Sequence, residues 1–556
     1  MRAAGVSGNM YMIRVAICLL LLAVGGLRAE GLTGSIDAAI AAKAGGPMAE
    51  RCSDADFVRR IHLDLAGRIP TTDEARRFLN DSDAEKRTKL VEQLLAGPDF
   101  PRRLEQAITV MLLERRGGGK IPESKWRDFL REEITAKRPW NEIVRELIGV
   151  EGDFRAKPAA KFMADGEKVD PEKIAHDIAR LFLGMNLGCA QCHDHPVVDD
   201  FKQADFYGLY AYLNPTRVQE DKKTKAAVLV EGVVTNKVEF KSVFKKNKEA
   251  TGPRLPGRAE VAIPVFAKGE EYAVPPADGK PGVLKFRPRA LLADELTSAE
   301  NKQFARNSVN RFWFFMMGRG LVHPLDMMHA GNPASHPELL EQMAKAFADK
   351  KFDVRWLLRE IALSEAYQRS SRAPKGVEAR SIPPESYRVA NLKGLSAEQT
   401  TWSVMVATGS YDKVAKAPAG ATKFVFKAYN SGTSTVPPAT LEDTLGLFTA
   451  TFGNPPGEPE VDFAPSMGHS LFMMNERLVL SWLRPEEGNL VDRLVKLQKP
   501  EAVAEELYLG VLSRMPEADE VKEVGEYLGR NAARRNEALG ELAWALLASA
   551  EFRLNH

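Results

Sequence analysis

The chain has little cysteine and no excess of either charge. Four cysteines in 556 residues are too few for a scaffold built from disulfide bonds. The 77 lysines and arginines are balanced by 75 aspartates and glutamates, so no bulk attraction to nucleic acid is expected. GxSxG, HExxH and phosphate-cradling glycine motifs are also missing, which leaves hydrolase and nucleotide-binding interpretations without a signature. What remains, 44% hydrophobic and 27% charged residues, is the composition of an ordinary globular protein.

A long apolar segment is missing as well, and the apolar run near the start covers only residues 15–24. Arg2 and Arg14 precede this run and Leu27-Arg28-Ala29 follows it, which is typical of a secretory signal peptide over residues 1–29. The run falls short of the ~20 apolar residues that span a bilayer. We therefore expect an exported protein, periplasmic or associated with the cell envelope, whose mature chain has no transmembrane span. An uncleaved anchor or a buried first helix is the alternative.

Hydrophobic periodicity predicts a mainly α fold in which two helical regions flank a small β-rich insertion. The first helical region covers residues 30–215, the insertion 216–290 and the second helical region 291–556. Within the insertion, apolar residues alternate with period two around residues 238–244 and 261–265. Residues 413–467, rich in proline, glycine and threonine, are predicted to form a long loop with short elements.

Several helix starts are predicted from capping residues. They are Ser53, Asp170 with Pro171, and two pairs with capping-box spacing, Thr71 with Glu74 and Ser335 with Glu338. The helix that begins at Pro171 is expected to run directly into Gly188 and Cys189. An amphipathic helix would thus deliver the chain to the segment that carries the most specific chemical signature.

That signature is Cys189-Ala190-Gln191-Cys192-His193, a CxxCH motif. Two thiols at this spacing can each form a thioether with one vinyl group of the same haem, and the next histidine then supplies the proximal ligand of the iron. The export signal agrees with this interpretation, because c-type haem is attached outside the cytoplasm. We predict one covalent haem c held by Cys189, Cys192 and His193.

The sixth ligand of that iron is not evident from the sequence. His195 is too close to His193 along the chain to reach the far side of the ring easily. Candidates lie upstream and in the second helical region: Met163, His176, Met185, Met316, Met317, His323, Met327, Met328, His329 and His336. His176 lies off the apolar stripe of its helix and is predicted to be an exposed surface residue. An open sixth position would favour ligand binding or peroxidase-like chemistry over electron transfer.

The rival interpretation of the same segment is a metal clip. Cys189, Cys192, His193 and His195 could bind Zn, although four ligands this close strain a tetrahedron. A dithiol redox site is a weaker alternative, because no thioredoxin-like pattern surrounds the motif. Asp194, Asp199 and Asp200 follow; they could neutralise a cation or shape a docking surface, but loop acids are usually solvated.

A second cluster of possible ligands follows in the second helical region. His323, Asp326 and His329, with His336 shortly after, could bind a metal or a substrate. Residue type alone does not make a site without geometry to support it, so structural roles are favoured for these four residues.

Several separated motifs resemble two planctomycete domains. The segments 54–71, 188–196 and 205–209 resemble the planctomycete cytochrome-c-like domain; 310–313, 318–322, 335–340, 364–368 and 548–552 resemble its companion domain of unknown function. The resemblance implies an exported bacterial protein with a c-type haem on Cys189, Cys192 and His193. It also implies a link to the use of polysaccharides or sulfated glycans. The family often has a cysteine-containing segment near residues 452–456, where Val461-Asp462-Phe463 stands here instead.

Together these patterns predict a haem protein of the cell envelope that performs electron transfer or small-ligand redox chemistry with a redox partner protein. The alternative is a non-haem scaffold or interaction protein in which CxxCH is vestigial or clips a metal. The bulk of the chain beyond the motif supports this alternative, because a minimal electron carrier would not need it. A glycan-handling enzyme or glycan association is supported only by the resemblance.

Overall fold

The computed structural model describes residues 31–119, 121–153, 156–164, 168–220, 227–277, 281–416, 440–460 and 466–556. The predicted signal peptide and the segment Val461-Asp462-Phe463 lie outside the described residues, so both remain sequence-based predictions. Among the described helices, none combines the length and the apolar character that crossing a bilayer requires.

The described part of the chain is mainly α, as predicted. Its 24 α-helices are accompanied by short 3₁₀ turns, such as Cys189–Gln191, and by small sheets. In chain order the helices are α1 (Leu32–Ala42), α2 (Asp54–Leu65), α3 (Thr72–Asn80), α4 (Lys86–Ala96), α5 (Asp99–Leu113), α6 (Glu123–Thr135), α7 (Trp140–Gly149), α8 (Pro171–Leu183), α9 (Gln203–Leu213), α10 (Pro288–Thr297), α11 (Lys302–Met317), α12 (Pro337–Asp349), α13 (Val354–Leu363), α14 (Glu365–Gln368), α15 (Ala397–Thr408), α16 (Tyr411–Ala415), α17 (Leu441–Phe452), α18 (Met467–Asn475), α19 (Arg477–Trp482), α20 (Leu490–Val495), α21 (Pro500–Leu512), α22 (Ala518–Arg530), α23 (Arg535–Leu547) and α24 (Ala550–Arg553).

Three of the predicted helix starts are confirmed. The side chains of Ser53 and Asp170 each accept a hydrogen bond from a backbone amide of the first turn, and Thr71 forms the predicted capping box. The box predicted at Ser335 is wrong: the cap of α12 is His336, one residue later, and it makes no side-chain cap. The Ser335 hydroxyl pairs instead with the His336 ring nitrogen Nδ1 at 3.1 Å.

The β-rich insertion consists of short antiparallel pairs rather than one sheet. The strands are β1 (Gly152–Asp153), β2 (Thr216–Glu220), β3 (Ala227–Glu231), β4 (Val238–Phe240), β5 (Glu249–Thr251), β6 (Tyr272–Val274), β7 (Val283–Leu284), β8 (Lys393–Gly394) and β9 (Leu554–Asn555). β3 lies between β1 and β2, and the remaining strands form the pairs β4–β5, β6–β7 and β8–β9. β2 to β7 belong to the insertion, whereas β1 precedes it and the pair β8–β9 lies beyond it.

Two details of the predicted secondary structure are wrong. The alternating residues 261–265 form no strand, because Pro264 has no amide hydrogen for a ladder and Val265 is 97% exposed. Residues 440–452 are more regular than a loop: Thr440 and Asp443 form a capping box that begins the 12-residue helix α17.

The buried apolar side chains form two cores. The first core unites residues from both sides of the insertion, from Ile36 in α1 to Tyr387. The second core is built from residues 395–552, together with Leu63 and Ile69. Helix α2 contributes to both cores, since Phe57 packs in the first and Leu63 in the second. It therefore lies at the junction between them.

Charged side chains of α2 bind the junction together by hydrogen bonds to backbone carbonyls. Arg59, 1% exposed, donates to the carbonyls of Val511 at 3.2 Å and Phe552 at 2.7 Å. Arg60 donates to the carbonyls of Tyr367 and Arg369. These carbonyls lie near the C-terminal ends of helices, where backbone oxygens lack intrahelical partners.

Asp64 is the acidic counterpart of these arginines on α2. Its carboxylate is 1% exposed and accepts hydrogen bonds from the Tyr367 hydroxyl at 2.8 Å, Lys393 Nζ at 2.6 Å and Asn555 Nδ2 at 2.8 Å. Burial and Asp64 raise the pKa of Tyr367 well above its usual value, so Tyr367 stays a donor. Arg59, Arg60 and Asp64 belong to the segment that resembles the planctomycete domain. Their role there is to connect distant parts of the fold by buried hydrogen bonds.

Candidate functional site

The CxxCH motif lies in a surface turn that follows α8. The helix does not run into the motif as predicted, because Gly184 adopts φ 69° and ends it five residues earlier. Met185 then pairs with Met327 in an isolated β-bridge, and a single 3₁₀ turn forms over Cys189–Gln191. The motif is therefore presented by a turn rather than by a helix end.

The two motif thiols are accessible and the turn that carries them is anchored. Cys189 and Cys192 are exposed and are not bonded to each other, whereas Ala190 between them is fully buried. The third described cysteine, Cys52, is 3% exposed, and burial raises its thiol pKa. Reactivity is thus expected at the motif and not at Cys52.

His193 has one ring nitrogen fixed by the backbone. Its Nδ1 lies 2.6 Å from the carbonyl oxygen of Asp194. A carbonyl only accepts hydrogen bonds, so Nδ1 carries the proton, and in a neutral imidazole Nε2 then holds the lone pair. Metal-binding histidines are commonly oriented in this way, with the other ring N–H donated to a carbonyl.

Helix α9 and the insertion donate hydrogen bonds to the backbone of the motif turn. The Gln191 carbonyl accepts from the Tyr207 hydroxyl at 3.1 Å, and the Cys192 carbonyl accepts from the amide of Val243 at 3.1 Å. Tyr207 in turn stacks on Phe240 with ring centroids 4.7 Å apart. Tyr207 of α9 therefore positions the motif backbone.

Exposed apolar side chains surround the motif. Val197 is 83% exposed, Val243 67% and Phe244 80%, and the Phe244 ring centroid lies 5.0 Å from that of His193. Large apolar side chains are seldom this exposed together at the surface of a monomer without a partner or ligand. The surroundings of the motif are thus apolar as well as accessible.

The metal clip predicted as the alternative is not assembled. His195 turns its Nδ1 toward the amide of Val197 at 3.3 Å and packs edge-on against Phe201 at 5.8 Å. Throughout the described ranges, no three histidine, cysteine, aspartate or glutamate residues are grouped so that they could hold a metal ion. His195 and Zn at this turn therefore stay predictions from the sequence.

The second sequence cluster packs directly against the approach to the motif. The amide of Asn186 donates to the Asp326 carbonyl at 2.8 Å, and the amide of Met328 donates to the Gly184 carbonyl at 2.9 Å. The His329 ring packs edge-on against Phe201, with ring centroids 5.5 Å apart. These are structural contacts, in agreement with the favoured interpretation.

His323 and His336 of the same cluster also have packing roles. His323 stacks on Phe314 at 6.5 Å, and His336 is 3% exposed beside Tyr387. Burial lowers the pKa of His336 to about 4, so this side chain is neutral at physiological pH. Neither side chain is placed as a surface ligand.

The prediction that His176 is an exposed surface residue is wrong. Its ring is half-buried, and Nε2 lies 3.1 Å from Asn186 Oδ1, which also accepts from the amide of Gly188. A Cβ placed on Gly188 would come 3.4 Å from this Nε2. Of the proposed sixth ligands, His176 thus lies immediately beside the motif.

Two of the three acids near the motif have backbone partners. Asp194 Oδ1 accepts from the amide of Gln203 at 2.9 Å, and Asp200 Oδ2 accepts from the amide of Ala330 at 2.6 Å. Asp199 is exposed. These acids serve the local backbone, and Asp200 ties the motif loop to the second cluster.

A cavity of about 580 Å³ at the junction of the two cores was not found by sequence reasoning. Its walls come from α2, α5, α8, α11, α15, α17, α18, α24 and the strand pair β8–β9. The polar lining side chains include Asp64, Arg103, Glu114, Arg180, Arg311, Lys393, Glu398, Glu460, His469 and Arg553. These residues are spread along the chain from Asp64 to Arg553 and form no motif, so no local pattern in the sequence predicts that they meet.

The cavity is distinct from the CxxCH turn but connected to it through α8. Arg180 and Leu181 in the last turn of that helix line the cavity, and the motif follows the same helix. Burial and the neighbouring Arg553 lower the pKa of His469, which accepts a hydrogen bond from Arg553 Nη2 at Nδ1, 2.8 Å away. His469 is therefore a neutral member of the wall.

Comparison with known families matches two regions of the chain. Residues 35–218 match PSCyt2, described as a protein of unknown function (DUF1549), and residues 288–528 match PSD1, described as a protein of unknown function (DUF1553). The two matches occur in the order of the two-domain planctomycete arrangement and lie on either side of the insertion. No curated protein and no solved structure matches the chain.

Proposed function

We propose that the chain carries one c-type haem, bound through thioethers to Cys189 and Cys192 with His193 as the proximal ligand, and that it acts in redox chemistry in the cell envelope. The observation that carries this proposal is the geometry of the turn: two accessible, unpaired thiols next to a histidine whose Nδ1 is fixed by a carbonyl. No other described cysteine pair has this arrangement.

The residues present fit a covalent haem in three respects. Thioether formation needs thiols that a vinyl group can reach, and both motif thiols are exposed. Iron ligation needs a neutral imidazole nitrogen, and the hydrogen bond to Asp194 leaves Nε2 as that nitrogen. A porphyrin is a large apolar ring, and Val197 and Phe244 present exposed apolar surface beside the motif.

The haem would supply an iron that changes oxidation state, and the chain would supply its attachment and surroundings. The hydrogen bonds from Tyr207 and Val243 hold the motif carbonyls and so keep the thiols and His193 in one orientation. A haem bound at this exposed turn would be open to electron exchange with a partner protein, since Cys189 and Cys192 lie at the surface. The half-buried His176 lies beside Gly188, immediately before the motif, and is the sixth ligand that we favour.

The test is haem content after export. We expect the full chain, produced with a haem-attachment system, to retain haem in denaturing gels and to give a c-type pyridine haemochrome spectrum. Cys189→Ser with Cys192→Ser should abolish the covalent haem. Either single variant should leave one thioether and move the haemochrome band to longer wavelength. Cys52→Ser is the matched control and should keep full haem content.

His193→Ala separates attachment from ligation. The thioethers should still form, but the spectrum should change from that of the parent because the proximal nitrogen is lost. A colourless exported protein with both motif thiols unmodified by mass spectrometry would overturn the haem proposal. The remaining interpretation would then be the non-haem scaffold.

A further inference from the structure

The junction cavity has the size of a small-molecule site and is separate from the CxxCH turn. Its volume of about 580 Å³ falls within the range of roughly 300–1,000 Å³ typical of ligand pockets. Its walls mix apolar side chains, such as Ile108, Met111 and Phe314, with charged ones. The question is whether these charges neutralise each other.

The acids of the wall already have basic partners. Asp64 binds Lys393 at 2.6 Å, and Glu114 binds Arg180 at 2.6 Å. Glu398 and Glu460 are both bound by Arg115, at 2.8 Å in the case of Glu398. Each of these carboxylates therefore has a basic partner, with Arg115 serving two of them, and these contacts leave Arg103 and Arg311 of the wall without an acid in hydrogen-bonding contact in the described part of the chain.

Arg103 is the clearest of these. It is 8% exposed, its Nε is buried without a partner, and within the described ranges the side chain makes neither a hydrogen bond nor an ion pair. Its guanidinium lies over the Phe315 ring at 4.8 Å. An arginine has five N–H donors, and burying a charge without hydrogen-bonding partners is costly.

Burial lowers the pKa of Arg103 to about 10, and the more distant charges of Asp64 and Glu398 offset only part of this effect. The side chain consequently remains protonated at neutral pH. It is a buried cation that lines the cavity and has no hydrogen-bond acceptor among the described residues. An oxyanion in the cavity would supply the missing acceptors.

Arg311 provides a second set of donors on the same wall. One Nη donates to the Arg180 carbonyl at 2.6 Å, while its Nε is buried without a partner among the described residues. Arg180 itself is neutralised by Glu114. Arg311 therefore adds positive charge to the cavity without a carboxylate in hydrogen-bonding contact.

We propose that the junction cavity binds a small organic anion, with an oxyanion group held by Arg103 and supported by Arg311. The planar guanidinium fork matches two oxygens of a carboxylate, sulfate or phosphate group. The apolar side chains of α5 and α11 receive the remainder of the ligand. This site does not depend on haem attachment, because none of its residues belongs to the CxxCH turn.

The test compares oxyanions by calorimetry and thermal unfolding of the full chain at constant ionic strength. Sodium acetate, sulfate and phosphate are the probes, and sodium chloride is the reference. We expect at least one oxyanion to bind and to raise Tm above the chloride value. Arg103→Met should abolish this response, and Arg103→Lys, which keeps the charge but loses the fork, should weaken binding about 10- to 100-fold.

The behaviour of the Arg103→Met variant without anion distinguishes a binding role from a structural one. Because Arg103 has no described hydrogen bond to lose, its Tm in chloride should equal or exceed that of the parent. Arg102→Met is the matched control: Arg102 donates to the Ala66 carbonyl at 2.8 Å and to Asp99 at 3.0 Å. That variant should lose stability and keep the oxyanion response.

Two outcomes would overturn the proposal. One is the absence of any oxyanion-specific heat or Tm shift in the parent protein. The other is an equal response in the parent and in Arg103→Met, which would assign the ion to another surface. Haem-free and haem-loaded protein should respond alike, so failure of this test and failure of the haem proposal are separable.

Discussion

The CxxCH turn and helix α2 differ in what their chemically active side chains contact. At the turn, the thiols of Cys189 and Cys192 and the neighbouring apolar side chains are exposed to solvent. The rest of the protein contacts mainly the backbone carbonyls of this turn. In α2, Arg59 and Asp64 are buried and each satisfies several partners. Side chains without internal partners remain available for chemistry, whereas buried side chains with several partners stabilise the junction of the two cores.

The largest effect is expected at the junction. Asp64→Ala leaves Lys393 as a buried cation without its acid and should lower the free energy of unfolding by about 3–5 kcal/mol. Urea denaturation measures this loss. Asp199→Ala, which removes an exposed acid near the motif, should change the value by less than about 0.5 kcal/mol. An equal loss of unfolding free energy in Asp64→Ala and Asp199→Ala would contradict the claim that α2, and not the motif turn, stabilises the fold.

A double variant sharpens the same prediction. Asp64→Leu combined with Lys393→Met removes both charges, so it should recover part of the stability that Asp64→Ala loses. No recovery would mean that the hydrogen bonds of Asp64 to Tyr367 and Asn555, rather than the ion pair, dominate its contribution.

Thiol labelling compares the regions directly. In protein produced in the cytosol from residue 30, where no haem is attached, iodoacetamide should modify Cys189 and Cys192 at least about 100-fold faster than Cys52, which reacts only after opening of the core. Mass spectrometry should find two adducts under native conditions and three in urea. Early labelling of Cys52 would contradict its burial.

The pH dependence of stability should carry the signature of His62 in α2. Burial lowers its pKa to about 4, with Glu74 opposing the shift. Below pH 6.5 the unfolded chain takes up a proton that the folded chain refuses, so stability present above pH 6.5 is lost as pH falls toward 4. This contribution should be about 1–3 kcal/mol.

His62→Gln tests this contribution. The difference in unfolding free energy between parent and variant should change between pH 6.5 and 4 and stay constant above pH 7. Glu74, whose pKa is lowered to about 2 chiefly by Arg68, acts in a lower pH window. Parallel profiles for the two proteins over the whole range would assign the pH dependence elsewhere.

The smallest effect is expected for Phe244 of the insertion. It is 80% exposed, so Phe244→Ala should change the unfolding free energy by less than about 0.5 kcal/mol. Phe240→Ala is the matched control, since that ring is 6% exposed and stacked on Tyr207, and it should cost about 3 kcal/mol. A large loss at Phe244 would give it a structural role.

Local patterns in the sequence predicted local structure well. Ser53, Thr71 and Asp170 begin helices because a capping side chain satisfies amides only a few residues away. The failures arose where one residue changed the outcome, as at Pro264 in the expected strand, or where the helix began one residue late, as at His336. In each case a local signal was present, but another residue or contact outweighed it.

The sequence by itself determined the CxxCH motif, because its thiols and imidazole are complete within five consecutive residues. It also determined the mainly α fold through the period of its apolar residues. Only the tertiary structure decided which arginines line the cavity without an acid in hydrogen-bonding contact among the described residues: Arg103 and Arg311 lie on different helices and meet at one cavity. Whether a charge is satisfied depends on neighbours from distant parts of the chain, and no local pattern encodes those neighbours.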